Sequence, residues 1–89
     1  MYLAKIVGTV VSTSKNEDLI GSKLLLIKKL NENLELLNGV EIAVDSVGAG
    51  VGETVMVVKG TSARNVFNKN SAPIDLAVVG IVDSIEVNR

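Results

Sequence analysis

Short runs of valine, isoleucine and leucine recur along the chain, separated by polar breaks that carry glycine. The first run is Leu3–Ser12, with Gly8 inside it; a glycine within a strand pattern predicts a bulge or bend. Thr13–Asp18 is polar and reads as a loop, and Lys23–Leu30 is the second strand candidate. Asn31–Gly39 is ambiguous. Its centre is compatible with a short strand, and Asn38-Gly39 is a turn signal ahead of Val40. Val40–Asp45 and Thr54–Lys59 are the third and fourth strands. In the fourth, Val55, Val57 and Lys59 face one way and Thr54, Met56 and Val58 the other. Ser62–Asn68 reads as one or two helical turns with Ser62 as N-cap, and Asn68–Pro73 as loop. Ile74–Val87 reads as a long last strand interrupted by Gly80, its end alternating as Asp83, Ser84, Ile85, Glu86, Val87.

Five closely spaced strands with interior glycines and one short helix predict a mainly β (all-β) fold. The expected architecture is a small five-stranded OB-like β-barrel, with a sandwich as its competitor. The helix falls after strand four. The commonest nucleic-acid-binding OB arrangement has it after strand three, hence OB-like. No linker, low-complexity tract or internal repeat interrupts the sequence, so residues 1–89 are expected to form one domain.

Composition adds a constraint. The 89 residues are 47% hydrophobic yet only 2% aromatic, Tyr2 and Phe67. The core must therefore be aliphatic. So small a domain has more aliphatic surface than it can cover alone, which predicts burial between subunits. Nine Lys or Arg against ten Asp or Glu give a net charge of −1 with no basic block, which argues against a nucleic-acid partner. Without cysteine there is no thiol chemistry, and without histidine the commonest metal ligand and acid–base group is missing. The opening Met-Tyr-Leu-Ala-Lys-Ile-Val-Gly lacks a signal peptide's charged start and long apolar run. A cytosolic protein with no membrane span, no metal, no cofactor and no catalytic activity is expected.

The most informative segment is Asp45-Ser46-Val47-Gly48-Ala49-Gly50-Val51-Gly52-Glu53. Dinucleotide sites need G-x-G-x-x-G opening a helix; here the spacing is G-x-G-x-G and a strand follows. The segment reads either as a plain turn or as a loop packed closely near a symmetry axis, where only small residues fit. Asp45 and Glu53 bracket it. With Asp75 and Asp83 they are the acids that would serve acid–base work, although solvated or structural roles suit strand-end acids better. Lys28-Lys29, the adjacent basic pair, points to opposite faces of a strand. Ser62 and Arg64 are candidate interface residues, Arg64 able to hold a carboxylate by a bidentate bond.

The same residues resemble a known family over nearly the whole chain. The matching pieces are Val7-Gly-Thr-Val-Val-Ser-Thr13 with Lys15, Leu19-Ile-Gly-Ser-Lys-Leu24, Ala43 to Glu53, Gly60-Thr-Ser-Ala-Arg64, Pro73, Asp75 and Val79-Gly-Ile-Val-Asp83. Together they are similar to the pentameric vertex proteins of bacterial microcompartments, the EutN/CcmL family. Thr61 stands where that family usually has serine, and residues 31–39 diverge. The resemblance implies an OB-like subunit, a homopentamer capping the fivefold vertices of a polyhedral shell in the cytoplasm, and hexameric shell proteins as neighbours. It also implies that the glycine loop lies near the central opening or the subunit contacts. Two rivals are an OB-type single-stranded nucleic-acid-binding module and a small enzyme using Asp45, Glu53 and Lys59.

Overall fold

Each strand turns aliphatic residues into one shared core, and the sheet closes on itself around them. The computed structural model describes residues 1–13, 15–68 and 72–88. Its strands are β1 (Tyr2–Val10), β2 (Leu24–Lys29), β3 (Glu41–Asp45), β4 (Thr54–Lys59) and β5 (Leu76–Val82). A 3-10 turn covers Glu17–Leu19, and one helix, α1 (Thr61–Val66), follows β4. The strands form a closed barrel in the order β1-β2-β3-β5-β4, with β4 returning to β1. All pairings are antiparallel except β3 with β5, which is parallel and joins only Val44 to Ala77 and Asp45 to Val78. The expected mainly β, five-stranded barrel with a helix after strand four is therefore what the chain forms.

Ala4, Ile6, Leu25, Ile27, Ala43, Val55, Val57, Leu76 and Val78 fill the barrel, together with Ala49 from the glycine loop. Mixing small and large side chains lets a narrow interior fill without voids. A second cluster lies outside the barrel wall: Val44, Ala63, Ala72, Ile74 and Ala77, with Phe67 and Leu24 packed against it. There α1 covers β4 and β5. Among the described residues no helix is long and apolar enough to cross a membrane.

Gly8 lies at the expected irregularity, since the β1–β2 register shifts between Ile6 and Gly8. Gly80 pairs with Met56 beside a second shift, and a Cβ there would collide with the tip of Met56. The interior glycines thus coil the strands.

Two expectations change, and one ambiguity is resolved. The last strand is shorter than Ile74–Val87. It ends at Val82, which pairs with Thr54, the first residue of β4. Beyond that point no strand among the described residues pairs with the tail, and alternation without a partner does not make a strand. The helix starts one residue earlier and ends at Val66, and its cap is Gly60 (φ 66°, ψ −137°), not Ser62. The chain leaves β4 through a backbone conformation that glycine adopts readily, and the Gly60 N–H is satisfied by the Asp75 carbonyl at 2.8 Å. Asn31–Gly39, ambiguous in the sequence, forms a single bridge, Leu30 to Leu36. The Asn31 carboxamide oxygen accepts from the Asn33 and Glu35 N–H groups and winds the segment into a turn. The loops expected at Thr13–Asp18 and Asn68–Pro73 lie partly outside the described residues.

Candidate functional site

The glycine loop is a small lid on one end of the barrel, built from backbone N–H groups turned toward two carboxylates. β3 ends at Asp45, whose side chain is only 4% exposed. Its Oδ1 accepts from the Val47 N–H at 3.2 Å, and its Oδ2 from Gly48 at 2.9 Å and Ala49 at 3.1 Å. Hydrogen bonds to an ionised acceptor are the stronger kind. Lys23 Nζ lies 3.9 Å from the same Oδ2 and donates to the Ala49 carbonyl. The Ser46 hydroxyl donates to the Val78 carbonyl at 2.6 Å and fastens the loop to β5. At the far end Glu53 Oε1 accepts from the Gly50 N–H at 2.6 Å. Gly52 donates to the Ile6 carbonyl at 2.8 Å, and Ile6 donates to the Glu53 carbonyl at 3.0 Å, so the loop is also stitched to β1.

The three glycines differ. Gly48 and Gly52 have φ of +80° and +93°, the left-handed region that side-chain-bearing residues rarely adopt. Gly50 is not among the positive-φ residues, and a Cβ on it would meet Glu53 Oε1 at 3.5 Å, an ordinary contact. Between them Ala49 is fully buried and plugs the core, while Val47 and Val51 stand exposed. The loop is thus rigidly held and presents small, apolar groups outward.

The structure gathers Asp45, Ser46, Val47, Gly48, Ala49, Gly50, Val51, Gly52 and Glu53 into one feature. Asp45 and Glu53, the acids that would serve a small enzyme, are both occupied by loop N–H groups. Ser62 and Arg64 belong to a different one. Arg64 Nη2 donates to Thr61 Oγ1 at 3.0 Å and Nη1 to the Ile74 carbonyl at 3.5 Å, bracing α1 against the lead into β5. Ser62 is exposed on the first helical turn. Lys23 is the loop residue that pattern reading misses. Only strand register reveals it: Leu24 pairs with Val44, which sets Lys23 beside Asp45.

Both aromatics are partly buried against the chain's own side chains, whereas single-strand binders present such rings to stack on bases. Phe67 packs into the outer cluster, and Lys29 Nζ sits 4.8 Å above the Tyr2 ring. The Tyr2 hydroxyl donates to Glu41 Oε1 at 3.1 Å. Burial, followed by that acceptor and its charge, holds the Tyr2 phenol well above its ordinary pKa.

The chain is similar to known proteins over nearly its whole length. The family described as "Ethanolamine utilisation protein EutN/carboxysome" matches residues 1–83. The chain is similar to the bacterial microcompartment shell vertex protein GrpN of Rhodospirillum rubrum, 55% identical over 86 residues, 97% of each chain. It is similar to the shell vertex protein PduN of Salmonella typhimurium, 54% identical over 89 residues, covering 96% of this chain and 98% of that one. The solved structure of the GrpN pentameric microcompartment shell protein superposes with a TM-score of 0.88 at 53% identity, over 98% of this chain and all of that one.

Proposed function

The chain belongs to the EutN/CcmL family, and from that membership we propose that it is a structural shell protein of a bacterial microcompartment whose homopentamers cap the fivefold vertices. The observation that carries this reading is the nearly full-length match, in sequence and in fold, to a pentameric shell protein. The surface fits the same role. Val51, Ile42, Val40 and Val87 stand more than half exposed on the isolated subunit, an aliphatic load that a ring interface would remove from water.

A flat hexagonal lattice does not close by itself; replacing a six-fold unit with a five-fold one removes a wedge and forces curvature. A ring with one copy of the chain per sector does this by geometry alone, and its work is mechanical. The whole chain, residues 1–89, serves as one vertex domain in the cytoplasmic shell, with hexameric shell proteins as neighbours. In a ring each subunit uses two different patches, head to tail. We assign the loop Asp45–Glu53 to the central opening or the subunit contact, because it is rigid, small and apolar on its outer side. Ser62 and Arg64 belong to the subunit contacts in this reading.

Co-expression with hexameric shell proteins tests it. With the chain present, electron microscopy is expected to show closed polyhedral particles; without it, open sheets, tubes or unsealed particles. Equally closed particles in both cases would remove the vertex role.

A further inference from the structure

The tail after β5 has strand chemistry without a strand. From Asp83 to Val87 apolar and polar residues alternate, so Ile85 and Val87 share one face. Both are exposed, at 41% and 52%, and among the described residues no backbone hydrogen bond ties Ser84–Asn88 to the barrel. The chain's longest extent is 45 Å against 23 and 21 Å across. The longest strand has nine residues and spans only about 30 Å. Segments beyond the barrel's ends therefore contribute to the long axis.

A matching edge lies elsewhere on the molecule. β3 is flanked by β2 along Glu41–Val44, but on its other side β5 pairs only with Val44 and Asp45. Among the described residues, Glu41 and Ile42 thus have a strand on one side alone. Ile42 is 53% exposed and the preceding Val40 52%. An open strand edge beside exposed apolar side chains is the surface onto which an extended segment adds, backbone bonds supplying affinity and alternate side chains supplying fit.

The tail does not reach this edge within its own subunit. In the parallel register Ile42 lies level with Asp75, two residues before the Val44–Ala77 pair. Asp83 is eight residues further along that direction, a path of about 26 Å along the strand. The tail leaves the barrel at the end opposite to Ile42. Donor and acceptor at opposite ends of one subunit are the arrangement that a head-to-tail ring joins.

We propose that Asp83–Asn88 adds as an extra strand along Val40–Ile42 of the next copy in the ring, with Ile85 and Val87 covering Val40 and Ile42. This rests on the pentameric reading above. The chain contains no cysteine, so introduced thiols report the contact alone. Four full-length double variants combine Val40→Cys or Ile42→Cys with Ile85→Cys or Val87→Cys; all four positions are exposed on the subunit. On air oxidation at least one pair is expected to yield a reductant-sensitive ladder reaching five chains on a denaturing gel, above the background of the single-cysteine variants. If all four variants are pentameric by native mass spectrometry yet none cross-links beyond that background, the tail contact is overturned while the pentamer stands. If the unmodified chain forms no pentamer, both fall.

Discussion

Gly48 and Gly52 occupy left-handed backbone, and Gly50 does not. Their replacements should separate accordingly. Gly48→Ala or Gly52→Ala is expected to cost about 1–2 kcal/mol of subunit stability in urea unfolding, the penalty of a Cβ in that conformation. Gly50→Ala is expected to cost about 1 kcal/mol less than either, since its Cβ meets only an ordinary contact. Loss of assembly in a folded Gly50→Val variant would then report a neighbouring subunit and not a misfolded loop. Equal losses at all three positions would contradict this division. The sequence marks the segment and its bracketing acids, but not the division of labour. G-x-G-x-G spacing carries no φ values, and the Asp45 hydrogen bonds depend on how the chain turns after β3.

Tyr2 gives a second test at this scale. It is the only tyrosine and the chain has no tryptophan, so its phenolate absorbance is read without interference. The midpoint of that titration is expected clearly above the ordinary value of 10.0. Below pH 10 both folded and unfolded chains keep the phenol proton. Above it the unfolded chain releases the proton while the folded one holds it, so the tyrosine contribution to stability is full below pH 10 and declines as pH rises. Tyr2→Phe keeps the ring under Lys29 and should flatten that part of the alkaline decline. A wild-type midpoint at 10 would contradict the burial and the Glu41 bond.

At the scale of elements, β4 is legible to the residue and β1 to β3 to within two residues at each end, because period-two aliphatic patterning is a local signal. The ends that differ are those set by partners. β5 stops where β4 begins, a fact about pairing that alternation through Val87 does not contain. The helix start escapes the pattern because Ser62 has the chemistry of a cap, whereas the chain conformation at Gly60 decides where the first turn begins. Ser62→Ala is therefore expected to change stability by less than about 0.5 kcal/mol, well short of the typical loss of about 1 kcal/mol at a true cap. Gly60→Ala is expected to cost about 1–3 kcal/mol through its positive φ. Thermal unfolding of the two variants decides between the caps; the reverse order would restore Ser62.

For the molecule as a whole, an aliphatic composition with two aromatics and no histidine or cysteine by itself points to association. The closed barrel sharpens the point. Its interior is filled by side chains no larger than leucine or isoleucine, and the remaining exposed valines and isoleucines have nowhere in the subunit to go. Position around a fivefold axis is not legible in residue patterning, because contacts between copies leave no periodic trace within one of them. The measurement that reaches the central claim most directly is native mass spectrometry of the purified chain at low concentration. The account predicts a dominant species of five times the 9.4 kDa subunit; a monomer or dimer as the sole species would contradict it.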